Sequence, residues 1–293
     1  MNHPESFGVW GNTDKESFWE ILPDILSWAG KKGLDAYLTT RILDHEKGST
    51  LTSKKIRSKD DMSVLDFMLV LGGDGTFLSL ARAIEHRNTP ILGIHLGDLG
   101  FLAKVTLKDL FVRLDQVANG DFIVEKRILV KASIKKNGQT IHHVGLNDFV
   151  LSNGQSHRML NATVSVNGHL VGNYRSDGLI IATPTGSTAY SLSAGGPIVT
   201  PEVDSLIITP TAAHTLTSRP LVIPADSKII LDFPDTNDSI LFIADGQVHE
   251  SLDPSCQVEI TKSDYDVKLI DFKDSDYFQT LRTKMGWGKR GEH

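Results

Sequence analysis

Hydrophobic positions along the chain follow two different periods, and the change falls near residue 120. Before it, helix-like and strand-like segments alternate. Residues 16–29 carry apolar side chains at helical spacing, with Pro23 inside predicting a kink or a split into two pieces. Residues 34–40 read as a strand, 44–61 as a polar irregular stretch, and 66–71 as a short aliphatic run typical of a buried strand. A helix to His86 follows, then a strand over 91–95 opened by Pro90, then a helix over 107–118. Strands alternating with helices predict a parallel sheet with helices packed on it.

After Gly120-Asp121 the period shortens to two. Residues 130–135 alternate, meet Asn137-Gly138 and resume at 139–142, and Asn167-Gly168 stands the same way between 162–166 and 169–171. Asn-Gly between alternating runs is the strongest short hairpin signal. A further pair of runs, 228–233 and 239–243, flanks the polar turn 234–238. The tail over 277–287 is amphipathic again and is expected to dock on the first domain. The fold class expected is an α/β N-terminal domain with a Rossmann-like parallel sheet, residues 1–122 completed by 271–293, plus an all-β C-terminal domain, residues 123–270.

Composition narrows the function. At 293 residues and net charge −6 the chain has ample core and no block of like charges, which disfavours nucleic acid as its main partner. Lys54-Lys55-Ile56-Arg57, the only basic cluster, reads as solvated loop. No run approaches the roughly 18 apolar residues of a membrane helix, and the opening residues lack a secretory pattern. Cys256 is the sole cysteine, so a reducing cytoplasm is expected, and no His/Cys spacing matches a metal site.

The candidate chemistry lies in the turns. Gly72-Gly73-Asp74-Gly75 follows the 66–71 strand and feeds a helix, a place that attracts anions. Read alone, it is either a phosphate turn or a tight turn whose aspartate caps the helix. Gly97-Asp98-Leu99-Gly100 follows the next strand, and ligands of open α/β sheets bind beyond the carboxyl ends of strands. Both turns are therefore expected to line one crevice, facing what the β domain contributes. That contribution is the stretch 177–197, in which a buried strand runs into a loop crowded with hydroxyls and glycine, 183–193, suited to ribose hydroxyls and phosphates. Asn147-Asp148, Arg158, Arg175 and Arg219 are further candidates, although a turn and surface contacts are their ordinary account. There is no Gly-x-x-x-x-Gly-Lys-Ser/Thr loop, no Gly-x-Ser-x-Gly elbow and no strand-bound Gly-x-Gly-x-x-Gly.

Gly72 to Leu78, Gly97 to Leu102, Leu146-Asn147-Asp148 and above all Arg175 to Ser191 together resemble the bacterial NAD kinases, in consistent order over residues 64–287. The ending Lys284-Met285-Gly286-Trp287 resembles the last helix of that family. The resemblance implies transfer of the γ-phosphoryl of ATP to the 2′-hydroxyl of the adenosine ribose of NAD, giving NADP. It makes Asp74 the proton acceptor, leaves room for phosphates at Gly73 and Gly75, and puts Phe77 near the adenosine. Asn147 and Asp148 would hold the ribose on the nicotinamide side, and Asp177 and Ala189 the nicotinamide amide. Thr188, Tyr190, Ser191, Leu192 and Ser193 would surround the nucleoside, with Arg158, Arg175 and Gln247 as further contacts. It also implies a divalent metal, Mg²⁺ with ATP, and a homodimer or homotetramer. Two residues depart from the family: Asp148 stands where glutamate is usual, and His95 where asparagine is common. A lipid kinase sharing the glycine–aspartate turn, and a non-catalytic NADP-binding sensor, are the competing expectations.

Overall fold

The computed structural model describes residues 3–97, 99–136, 138–154, 159–214, 217–234, 236 and 238–287. The chain divides into two compact units, one of Met1–Lys126 with Val267–His293 and one of Arg127–Asp266.

The first unit is built on a parallel sheet. Its strands are β1 (Ser6–Gly11), β2 (Asp35–Thr39), β3 (Lys54–Ile56), β4 (Phe67–Gly72), β5 (Ile91–His95), β6 (Val105–Thr106), β7 (Ile123–Arg127) and the last strand of the chain, β20 (Val267–Asp271). Their order is β3-β2-β1-β4-β5-β20-β7, with β6 paired to β5. The described residues hold six α-helices, besides short 3₁₀ turns: α1 (Glu16–Lys32), α2 (Thr40–Leu43), α3 (Asp74–Ile84), α4 (Leu110–Ala118), α5 (Tyr190–Ser193) and α6 (Tyr277–Met285). All but α5 belong to this unit. β4 is buried along its whole length, as its unbroken apolar run requires in a sheet covered on both faces. Of the kink or split expected at Pro23, the split does not occur: α1 runs through Pro23 as one helix. Proline removes one hydrogen bond, and the buried stripe Phe18, Leu22, Ile25, Trp28 and Ala29 outweighs it.

β1 and β3 are among the strands that lie where none is legible. β1 forms the middle of the sheet, pairing with both β2 and β4. Its two glycines hide it in sequence but are needed in the fold: a Cβ on Gly8 would stand 2.4 Å from Met68 Sδ. β3 falls in the polar stretch 44–61, at the sheet edge, where Lys54 and Lys55 pair with Asp35 and Asp44.

The second unit is a sandwich of two antiparallel six-stranded sheets. Its strands are β8 (Val130–Lys136), β9 (Gln139–Gly145), β10 (Asp148–Asn153), β11 (Leu160–Val166), β12 (His169–Ser176), β13 (Gly178–Ala182), β14 (Ser205–Thr211), β15 (Leu221–Pro224), β16 (Ile229–Asp232), β17 (Ile240–Ala244), β18 (Val248–Leu252) and β19 (Val258–Lys262). One sheet runs β15-β14-β13-β10-β17-β18, the other β12-β11-β16-β19-β8-β9. Alternation decides the faces. Phe149 and Leu151 point into the core with Leu179, Ile181 and Phe242, while Val150, Ile180, Ala182 and Ile207 form a patch on the opposite face. The two Asn-Gly hairpins form: β8 pairs with β9, and β11 and β12 close on Asn167 (φ +51°) and Gly168 (φ +81°), the two positive dihedrals that a two-residue turn of this hand requires. The runs 228–233 and 239–243 do not pair: β16 and β17 lie in different sheets, and the polar turn between them crosses from one sheet to the other.

Candidate active site

In the first unit, β4 ends at Gly72, Gly73 precedes the helix in extended conformation, and Asp74 is the first residue of α3. Asp74 does not cap its own helix. Its carboxylate turns toward the second glycine loop, where Oδ2 accepts from Phe101 N–H (2.9 Å) and Oδ1 from Leu102 N–H (3.1 Å) and Ala103 N–H (3.0 Å). The 97–103 loop is thus a clamp on Asp74 as well as a turn; Asp98 within it lies outside the described residues. A carboxylate oxygen accepts along about two lone-pair directions, so Oδ1 is saturated and Oδ2 keeps one direction for another donor.

Beside the turn, a cavity of about 430 Å³ is lined by Lys15, Arg41, Gly73, Gly75, Thr76 and Ser79 among others. Asp14 also lines it and pairs with Arg41 at 3.5 Å, which leaves Lys15 and the N-terminal amides of an eleven-residue helix as what favours an anion there. Neither Lys15 nor Arg41 is signalled by the sequence, because each stands singly in a polar surface segment.

In the second unit the centre is the segment Leu146–Asp148. Asp245, at the end of β17, accepts from the N–H groups of Leu146 (2.9 Å), Asn147 (2.8 Å) and Asp148 (3.1 Å). From the other side Thr183 donates its N–H to the Asn147 carbonyl (2.9 Å) and its hydroxyl to the Leu146 carbonyl (2.5 Å). The loop after Thr183 presses so closely here that a Cβ on Gly186 would stand 2.0 Å from the Asn147 carbonyl oxygen. Asp148 is only 4% exposed. Burial, with the Asp245 charge adding to it, pushes its carboxyl up to about 7, opposed by a hydrogen bond from Tyr190 N–H. Asp245 was missed in sequence because Asp-Gly after an alternating strand reads simply as a hairpin turn.

The hydroxyl-rich loop divides its side chains. Thr183, Ser187 and Ser191 are fully buried and hold the loop's own shape. Ser187 Oγ bonds the Pro184 carbonyl and receives Val199 N–H, and Ser191 Oγ pairs with Thr209 Oγ1 at 2.8 Å. Thr188, Ala189 and Leu192 are half-buried, while Tyr190 (50% exposed) and Ser193 face outward.

Of the residues singled out in sequence, Gly73, Asp74 and Gly75 stand together in the first unit, and Asn147, Asp148 and the 188–193 segment in the second. Asp177 and Arg175 are exposed at the end of β12, and Gln247 is exposed in the turn after β17. Arg158 lies outside the described residues. Phe77 requires a correction. Its ring is fully buried in the first unit, 3.1 Å from where a Cβ on Gly93 would stand, and has no face left for an adenosine. Helical spacing assigns it to the core face of α3 with Leu78, Leu80, Ala81 and Ile84.

Residues 8–122 match the family model of the ATP-NAD kinase N-terminal domain, and residues 146–272 that of the ATP-NAD kinase C-terminal domain. An NAD kinase of Citrifermentans bemidjiense is 38% identical over 272 residues, covering 92% of this chain and 94% of that one. Among solved structures, an NAD kinase from Archaeoglobus fulgidus in complex with ATP superposes with a TM-score of 0.74 at 25% identity, over 96% of this chain and 98% of that one. Yeast NADH kinase complexed with NADH has the same fold, with a TM-score of 0.91 at 22% identity over 99% and 90% of the two chains. The parallel-sheet unit, its glycine–aspartate turn and these matches define an ATP-dependent phosphotransferase. More particularly, the chain belongs to the NAD kinase family. Such ATP-using kinases generally work with a divalent metal. Among the described residues no helix is long and apolar enough to cross a membrane.

Proposed function

We propose that this protein transfers the γ-phosphoryl group of ATP to the 2′-hydroxyl of the adenosine ribose of NAD, giving NADP. The observation that carries this reading is the clamped Asp74 carboxylate with one acceptor direction left on Oδ2. A hydroxyl that attacks phosphorus must release its proton, and Asp74 takes it. Because phosphoryl transfer passes through a loose transition state, positioning and charge neutralisation do most of the work, and an aspartate fixed by three amides is well placed to orient the hydroxyl.

The cavity beside Lys15 and Arg41 suits the donor's phosphates, with Gly73 and Gly75 leaving room for them. The chain offers no group of three His, Cys, Asp or Glu side chains for a metal among its described residues, so Mg²⁺ is to be held by the phosphates it arrives with. A divalent ion held by those phosphates would offset the charge that sets them against Asp74. The dinucleotide falls to the second unit. Asn147 and Asp148 take the ribose on the nicotinamide side, Asp177 and Ala189 the amide, and Thr188, Tyr190 and Ser193 the surface of the nucleoside. Ser191 and Leu192 contribute through the loop's shape, and Arg158, Arg175 and Gln247 as outer contacts.

The reaction belongs in the cytoplasm, consistent with the single, unbridged Cys256. Exposed Leu170, Val171, Leu221 and Val222 on the sheet-edge strands β12 and β15 favour a homodimer or homotetramer built through this unit. Incubation of the protein with NAD, ATP and Mg²⁺, with NADP read by coupled reduction, tests the reading. NADP formation is expected. Tight dinucleotide binding without turnover, or phosphorylation of diacylglycerol in place of NAD, would overturn it.

A further inference from the structure

Asp245 occupies the left-handed region (φ +50°), as does Gly246 (φ +65°), in the turn joining β17 to β18. A turn of this kind needs no inward carboxylate; Asn-Gly makes its equivalent at 167–168. Yet Asp245 is buried, and its carboxylate gathers three consecutive N–H groups from Leu146, Asn147 and Asp148. Its own N–H donates to the Asp148 carbonyl at 2.9 Å, so one residue holds the segment by four hydrogen bonds. The Asp245 charge also bears on the neighbouring Asp148 carboxyl and raises it. An asparagine would turn an amide N–H toward one of these backbone N–H groups, so the three-amide clamp calls for a carboxylate.

We propose that Asp245 is a positioning residue for dinucleotide binding, fixing the Leu146–Asp148 segment in the form that presents Asn147 and Asp148 to the ribose. This rests on the reading that those two residues meet the ribose. Asp245 also acts through its charge. Two groups bear on the Asp148 carboxyl, the Asp245 carboxylate on the hairpin and the Tyr190 N–H on the hydroxyl-rich loop, and burial with the Asp245 charge raises Asp148 to about 7. Near neutral pH, Asp148 therefore passes from a neutral carboxyl to a carboxylate, which is the stronger acceptor for ribose hydroxyls. Affinity for NAD rises with pH through that range. Without the Asp245 charge burial acts alone, and the rise moves to lower pH.

The test is steady-state kinetics of Asp245→Asn, Asn147→Ala and the parent enzyme across the neutral pH range. Asp245→Asn is expected to raise KM for NAD about tenfold or more while kcat stays within about twofold and KM for ATP is unchanged. The inflection of kcat/KM for NAD, near neutrality in the parent, should move to lower pH, a shift that a merely structural role does not produce. Unchanged KM for NAD in Asp245→Asn, or a loss confined to kcat, overturns the proposal. If only Asn147→Ala raises KM, the ribose assignment stands and the inference alone fails. If neither does, the ribose assignment itself fails. Should Asp245→Asn not fold, calorimetric NAD binding by the parent across the same pH range decides, and an affinity that does not change near neutral pH overturns the proposal.

Discussion

Gly100 and Asp74 are shaped to one another: a Cβ on Gly100 would stand 2.1 Å from Asp74 Oδ1 and 2.8 Å from its Cγ. The backbone loop closes around the carboxylate only because residue 100 has no side chain. Gly100→Ala is therefore expected to push the carboxylate off the 101–103 amides or the loop off the carboxylate. Because Asp74 is short and cannot swing aside without losing those amides, kcat should fall about tenfold or more, as for a misplaced catalytic group, with little change in KM for NAD. Initial-rate kinetics beside a thermal melt checks this.

Gly73 is the opposite case. Nothing lies within 4 Å of a Cβ built there, and its backbone is extended, so Gly73→Ala should fold with an unchanged melting temperature. If the empty space belongs to phosphates, the same variant loses affinity for ATP. A melt that does not move, together with a KM for ATP that does, marks the space as a ligand's.

Asp74→Asn keeps the size of the side chain but turns one oxygen into a donor that faces an N–H. The variant is expected to fold, to bind NAD, and to lose about 10²–10⁴ in kcat for NADP formation. Near-normal turnover would remove Asp74 from the proton-acceptor role.

Asp148 links pH to stability. Its folded carboxyl sits near 7 against an ordinary 3.8, so the folded state holds a proton that the unfolded chain releases. The stabilisation is complete below about pH 4 and is lost as pH rises through about 7. Asp148→Asn cannot titrate. Relative to it, the parent should lose stability on the order of 4 kcal/mol between those limits, measured by urea unfolding at acidic and at alkaline pH. Parallel pH dependence in the two proteins would refute this.

Gly186→Ala would bring a Cβ within 2.0 Å of a backbone oxygen, which no side-chain rotation relieves. A loss of roughly 1–3 kcal/mol is expected, together with a raised KM for NAD as the 183–188 segment moves off Asn147. Denaturant unfolding and kinetics report the two effects separately.

What could be read from sequence is the part written in local chemistry. The 66–71 run with its glycines announces β4 and the turn, because an aliphatic run cut short by glycine has few other solutions. Asn167-Gly168 announces a hairpin because two positive dihedrals admit few residues. β1 could not be read: its two glycines weaken the strand pattern, and what makes them necessary, such as Met68 against Gly8, is contact distant in sequence. The hydroxyls of the 183–193 loop look alike in sequence, and only packing decides that Ser187 and Ser191 turn inward while Ser193 faces out. Asp245 shows the same limit, since nothing local records that its carboxylate meets amides a hundred residues earlier.

The last strand carries a consequence for the order in which the protein is made. β20 lies between β5 and β7 in the parallel sheet, and β7 reaches that sheet through β20. As the chain leaves the ribosome, the β-sandwich is fully synthesised while the earlier unit still has an unfilled slot, with the Ile91 end of β5 lacking its β20 neighbour, β6 covering only Ile94 and His95, and β7 unattached. Buried Asp271, which seals the slot by pairing with half-buried Lys104, arrives only after the whole sandwich has been made. The part begun first is finished last, and a ribosome that stalls after residue 266 would release a complete sandwich tethered to an open sheet edge, the form of this chain most prone to aggregate.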